Sequence, residues 1–196
     1  MNLKRATTVH LLGNGPSVRH FESDLFHTEP QDGVRISCNL GHEHLNCAWT
    51  LMGQRILFFI CEQQLPFKTP IVVESHCLPK VVRYTRYPQH LKTLTFHSVI
   101  KTFENTPTPS SGHKAVWYAI SLYKPATIHL WGIDFFWTLD NTSLTWDTVI
   151  LEKSLGHWSW NSAWEKLWSI NSKIQFVIHT PTPIENLPKN VVTERL

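Results

Sequence analysis

Short apolar blocks alternate with polar turns along this chain, and the blocks switch repeatedly between a period of two and a period near 3.6. Thr7 to Leu12 is a brief apolar strand that runs into Gly13-Asn14-Gly15-Pro16-Ser17. Val18, Phe21, Leu25 and Phe26 then recur at helical spacing, which gives strand, glycine turn and helix in succession. Gly33 to Ser37 reads as a second strand closed by Cys38-Asn39, and Ile56 to Ile60, Ile71 to Val73 and Val81 to Tyr84 read as further strands. From Gln89 to Glu104 the pattern supports neither period. The clearest stretch is Pro109 to Asp134. A polar turn, a helix from about Gly112 to Tyr123, a strand from Thr127 to Trp131 and an acidic strand end follow one another. Ala115, Ala119 and Leu122 form one stripe of that helix, Val116, Ile120 and Tyr123 lie beside it, and Pro125 stops it. A Trp-rich loop follows, then a helix from about Trp160 to Ile170 and a last strand from Lys173 to His179. The segment 181–196 carries several prolines and reads as a surface tail. Strands alternating with helices predict one α/β domain, Rossmann-like, with a mostly parallel sheet and helices on both faces.

Composition narrows the classes. At 196 residues and 42% hydrophobic content the chain is long enough for one sizeable core. The formal charge is only +3, from 18 basic and 15 acidic residues spread along the sequence, so no basic arm or stripe points to nucleic acid. No apolar run approaches the roughly 18 residues of a membrane span, and Met1 to Ala6 has no apolar leader region, so a soluble, cytoplasmic protein is expected. Cys38, Cys47, Cys61 and Cys77 fall near apolar segments, which suits reduced thiols better than a disulfide framework.

In an open α/β sheet, ligands bind beyond the carboxyl ends of the strands, and three strand ends here carry suitable chemistry. Gly13-Asn14-Gly15-Pro16-Ser17 lets backbone N–H groups approach an anion, with Pro16 suited to the first helical position and Ser17 adding a hydroxyl. Alone the motif is equally a plain tight turn, since it lacks both the Gly-x-Gly-x-x-Gly of a dinucleotide site and the Gly-Lys-Ser/Thr of a P-loop. Asn39 ends the next strand at the same edge and can both donate and accept, which suits a ribose or phosphate ester. Ser110, Ser111 and Gly112 open a helix, and Asp134 closes a strand.

The ordered set Gly13-Asn-Gly-Pro-Ser17, Cys38-Asn39, Ser111-Gly112, Gly132-Ile-Asp-Phe135 and Gly156-His157 resembles the bacterial sialyltransferases that modify lipooligosaccharide. The resemblance spans about residues 8 to 180, with the interval from Gly41 to Thr106 aligning only loosely. It implies a metal-independent, inverting transfer of sialic acid or a related keto-sugar acid from a CMP-sugar to a glycan hydroxyl. No separate cofactor is implied, and the partners are a nucleotide sugar and a glycan acceptor. It further implies that Asn14, Gly15 and Ser17 hold the phosphate and nucleotide, and that Asn39 contacts the ribose and phosphate region. Ser111 and Gly112 would lie against the donor sugar, Gly132 and Asp134 would line the nucleoside pocket, and His157 would be the general base. The chain contains no Asp-x-Asp, the usual metal-diphosphate clamp, which fits a metal-free monophosphate donor.

The sequence departs from that family in places. Two tyrosines that donate to the leaving phosphate are missing after Gly-Ile-Asp: the nearer position is Phe136, and no tyrosine follows Tyr123. Thr108 stands near the place of an arginine upstream of the Ser-Gly pair. A nucleotide-binding module without transferase activity, or a transferase with another donor, is the alternative reading. A phosphotransferase is disfavoured because no acidic metal cluster is visible. Seven of nine tryptophans lie between Trp131 and Trp168. Trp164 and Trp168 are four apart on a predicted helix and read as core, while Trp158 and Trp160 flank His157 and are candidates for stacking on an acceptor sugar. Cys38, His42, His44 and Cys47 are metal-ligand types within ten positions, but their spacing matches no common zinc site, so no metal is expected.

Overall fold

The computed structural model describes residues 6–13, 33–39, 47–51, 53, 69–77, 91–94, 109–133, 157–180, 184 and 186–195. Among these, eight strands form one sheet: β1 (Thr8–Leu12), β2 (Gly33–Cys38), β3 (Trp49–Leu51), β4 (Ile71–Glu74), β5 (Leu91–Leu94), β6 (Thr127–Trp131), β7 (Gln175–Thr180) and β8 (Val191–Arg195). Their order is β5-β4-β3-β2-β1-β6-β7-β8, and every neighbouring pair is parallel. The described helices are α1 (Ser111–Tyr123) and α2 (His157–Ile170). This is the α/β class expected from the alternation, with a single parallel sheet of Rossmann-like type.

Parallel register sorts the side chains into two faces. Val9 lies beside Ile128, and Leu11 beside Leu130, while Ile128 in turn lies beside Phe176 and Leu130 beside Ile178. All six are fully buried in one core with Ala115, Val116 and Ala119 of α1 and Ala163, Trp164, Leu167 and Trp168 of α2. Fully burying a side chain such as Leu11 contributes about 1.5–3 kcal/mol, so this face carries the main hydrophobic stabilisation. The alanines of α1 let the helix approach β1, β2 and β3 closely. Trp164 and Trp168 are core residues, at 1% and 3% exposure, as their spacing predicts.

The opposite face is more polar. His10 of β1 stacks on His129 of β6 with ring centroids 4.7 Å apart, and His129 Nδ1 lies 2.9 Å from His179 Nε2 of β7. The Trp131 ring lies flat on His179 at 3.2 Å. Buried Arg35 of β2 is the register partner of His10, and Glu194 of β8 lies 3.4 Å from His179 Nδ1.

Helix α1 starts and stops for local reasons. Ser110 is extended at φ −70° and ψ 170°, and Lys124 takes the left-handed conformation at φ 50°, its N–H donating to the Ile120 carbonyl. That cap ends the helix one residue before Pro125. Four findings differ from the sequence pattern. Helix α2 begins at His157 rather than near Trp160, and β7 begins at Gln175 after a turn through Asn171 to Lys173. Strand β3 was absent from the expected elements. In the segment expected as a surface tail, Val191–Arg195 is an exposed edge strand in register with β7. The expected helix around Val18 to Phe26 and the strands at Ile56 to Ile60 and Val81 to Tyr84 lie outside the described residues.

Candidate functional site

Sheet order reverses between β1 and β6: strands β2 to β5 extend to one side of β1, and β6 to β8 to the other. A crevice opens beyond the carboxyl ends at such a reversal, because the flanking connections leave in opposite directions. Gly13 and Gly132 sit at this point, directly after β1 and β6. The Gly13 N–H donates to the Trp131 carbonyl at 2.7 Å. A Cβ on Gly13 would fall 2.3 Å from the Gly132 carbonyl oxygen, so only glycine fits. Gly132 has φ 61°, a left-handed backbone that side chains disfavour.

The next strand end adds polar groups. Asn39 follows β2 with φ 62°, a conformation that asparagine tolerates better than most residues. Its side-chain Oδ1 accepts from the Gly53 N–H at 2.9 Å, its own N–H donates to the Leu51 carbonyl, and its carbonyl accepts from Thr50 Oγ1. These bonds lash the ends of β2 and β3 together. A Cβ on Gly53 would stand 2.9 Å from Ser111 Oγ, so the β3 end touches the start of α1.

The first turn of α1 closes the arrangement. Gly112 is buried, and a Cβ there would meet Ile133 Cδ1 at 3.5 Å and Trp164 Cζ2 at 3.7 Å. Fully buried His113 turns back: its Nδ1 accepts from the Ser110 N–H at 3.0 Å and lies 2.7 Å from Ser110 Oγ. The imidazole also packs on the Trp164 indole, with ring centroids 4.3 Å apart. No acidic residue occupies the first turn. Lys114 in that turn pairs instead with Glu74, at the carboxyl end of β4, and both are largely buried. Cys77 is buried nearby, and burial followed by the Glu74 charge pushes its thiol pKa up. The result is a helix N-terminus, capped by Ser110 and His113 and without an acidic residue in its first turn, beside a glycine-lined crevice, a setting suited to an anionic ligand.

Among the residues singled out from sequence, Asn39, Ser111, Gly112 and Gly132 are brought to this one sheet edge. Asn14, Gly15, Ser17 and Asp134 lie outside the described residues. His157 is the first residue of α2, with Trp158 and Trp160 in its first turn. Trp164, which touches the α1 start, is seven residues further on, or about 10 Å along the helix axis. Ser110, expected at this helix start, joins the residues at this sheet edge, and Gly53 and His113 belong to the same constellation without having been among the expected residues. Gly53 follows a strand too short to recognise, and His113 sits where a capping box has its third helical residue. Of the possible metal cluster, Cys38 and Cys47 are buried, and burial pushes the Cys47 thiol up to about 11. His42 and His44 lie outside the described residues. Among the described residues no three such side chains are arranged to hold a metal ion, and no helix is long and apolar enough to cross a membrane.

The fold is similar to that of solved sialyltransferase structures. Three solved structures of the sialyltransferase CST-II share it. A variant of CST-II in complex with CMP has 20% sequence identity and a TM-score of 0.57, covering 88% of this chain and 80% of that one. CST-II with a trisaccharide acceptor and CMP has 20% identity and a TM-score of 0.52, over 87% of this chain and 80% of the other. CstII from Campylobacter jejuni with the substrate analogue cytidine-5'-monophosphate has 18% identity and a TM-score of 0.51, over 89% and 80%. No protein-family model matches the sequence, and no curated protein matches it.

Proposed function

We propose that this chain is a metal-independent, inverting glycosyltransferase that uses a CMP-activated sugar, sialic acid or a related keto-sugar acid, and a glycan hydroxyl acceptor. The observation that carries the reading is the convergence of Gly13, Asn39, Ser111-Gly112 and Gly132 at the sheet reversal, beside the N-terminus of α1. The likeness in fold to sialyltransferases solved with CMP adds support. In this reading Asn14, Gly15, Ser17 and Asn39 bind the nucleotide and phosphate. Ser111 and Gly112 present the helix N-terminus to the donor, and Gly132 and Asp134 line the nucleoside pocket. His157, opening α2, takes the proton of the acceptor hydroxyl as its oxygen attacks the anomeric carbon. The bond from that carbon to the phosphate oxygen breaks, and CMP leaves with the electron pair. A general base of this kind typically contributes about 10²–10⁴-fold. Trp158 and Trp160 would supply stacking surface for the acceptor.

A second reading, nucleotide binding without transfer, is favoured by one observation: no tyrosine follows Tyr123 to protonate or hydrogen-bond the departing phosphate. Calorimetry with CMP, UMP, GMP and AMP, with and without chelator, separates these readings from a misread site. Selective, chelator-insensitive CMP binding is expected. Binding of CMP without CMP release from a CMP-sugar in the presence of glycans would favour the second reading, and no CMP binding would refute both. The variant His157→Ala is expected to abolish transfer while CMP affinity stays within a few-fold.

A further inference from the structure

We propose that His113 is a positioning residue of the donor site, holding the Ser110-Ser111-Gly112 turn in its ligand-receptive shape; this rests on the CMP-sugar reading above. A backbone N–H only donates, so His113 Nδ1 is the acceptor of the Ser110 N–H and the ring proton resides on Nε2. Ser110 Oγ lies on the same nitrogen at 2.7 Å. The ring is fully buried and pinned on Trp164, whose indole edge also faces Gly112. With one end of the clamp fixed in the core by α2, the other end sets the backbone of Ser110 and therefore the direction of the amides that follow it.

The choice of imidazole has a chemical reason. The third helical position of a capping box is commonly glutamate or glutamine, which reach back to the N-cap N–H. A carboxylate there would set a negative charge within one turn of the place where the acidic donor sugar would bind. It would also offset the positive end of the helix dipole. Imidazole accepts the same hydrogen bond without a charge. The first turn of α1 carries no acidic residue, as this requirement demands. Among the described residues, the carboxylate that reaches it, Glu74, is matched by Lys114.

The test compares the full chain with H113L, which removes the acceptor but keeps an apolar side chain, and H113Q, which restores a neutral acceptor. Amide hydrogen exchange is followed without ligand, CMP affinity by calorimetry, and kcat and donor KM where transfer is detected. In H113L, exchange at Ser110 to Gly112 is expected to rise about tenfold with β1, β6 and β7 unchanged. CMP affinity and donor KM should worsen about three- to tenfold, the scale of one hydrogen bond, with kcat within about twofold. H113Q should return all of these to within about twofold of the parent. Wild-type exchange and affinity in H113L would overturn the proposal, and so would H113Q impaired as badly as H113L, because the role would then be ring packing alone. Should H113L fail to fold, H113Q decides: retained protection and affinity support the clamp, and lost affinity in a folded protein overturns it. Absence of CMP binding by the parent chain would sink the CMP-sugar reading and with it the donor role of His113. The exchange data would still report separately whether the clamp exists.

Discussion

Acidification from pH 7.5 to pH 5 should weaken this fold through the histidine row on the sheet face opposite α1. Burial is the largest cause that lowers each of the three pKa values. His10 is brought to about 4, with His129 and Arg35 adding repulsion. His179 is brought to about 3, with His129 and His10 adding repulsion. His129 is lowered as well, against a partial opposing effect of Glu194. The unfolded chain titrates these groups near 6.5, so it binds more protons than the folded chain below that pH. Stability is therefore full above about pH 6.5 and falls as the pH drops toward 4. A histidine at about 4 folded and about 6.5 unfolded costs about 2 kcal/mol by pH 5. His179 enlarges the loss, but the two share a neighbour and do not add fully, which gives about 2–4 kcal/mol in all. Against a typical total of about 5–15 kcal/mol this is a large fraction. Urea unfolding at matched ionic strength, at pH 7.5, 6.5, 5.5 and 5, measures it directly. The variant His10→Leu should flatten the dependence by close to one proton. An unchanged pH slope in that variant, or a total loss under about 0.5 kcal/mol in the parent, would refute the reasoning.

Three further outcomes follow from the site. Gly13→Ala places a methyl 2.3 Å from a backbone oxygen, so it should destabilise the chain by about 2 kcal/mol or more in urea titrations and abolish CMP binding, whereas Gly33→Ala, next to the softer His10 ring and Thr8, should leave CMP binding intact. Glu74→Gln leaves the buried Lys114 ammonium without its counter-charge and should cost about 3–5 kcal/mol, while the paired change E74L/K114M should recover most of that loss in thermal melts. Asn39→Ala loses the bond to Gly53 and keeps a strained φ, for an expected cost of about 1–3 kcal/mol; Asn39→Gly, which relieves only the strain, should fall between it and the parent in the same assay.

Much of the scaffold was legible because burial imposes a period. Thr8–Leu12, Gly33–Cys38, Ile71–Glu74 and Thr127–Trp131 bury side chains against a packed face, and α1 buries a stripe, so their patterns appear in the residue order. Strand β3 has three residues, all buried, which is too short for any alternation to register. Strand β8 buries only Val191 and is held through its backbone ladder to β7, a bond pattern indifferent to side-chain identity. The same distinction governs the site. Asn39, Ser111-Gly112 and Gly132 mark strand and helix ends and are visible as punctuation. Gly53 and His113 matter through contacts with Asn39, Ser110, Ser111 and Trp164, which depend on how β3, α1 and α2 are brought together.

The central place of β1 bears on how the chain is made. Its partner β2 begins 25 residues later (Thr8 to Gly33), but its other partner β6 begins 119 residues later (Thr8 to Thr127). At about 5–20 residues per second of synthesis, that edge of β1 waits roughly 6–24 seconds for its mate to emerge. Through that interval the nascent sheet ends in an open row of amides and carbonyls, the kind of edge that recruits foreign strands. The crevice where donor chemistry is proposed is thus also a late seam of the sheet, closing ahead of only β6–β7 and β7–β8, and a ribosome stalled before Thr127 would release a chain with neither a nucleotide site nor a protected middle.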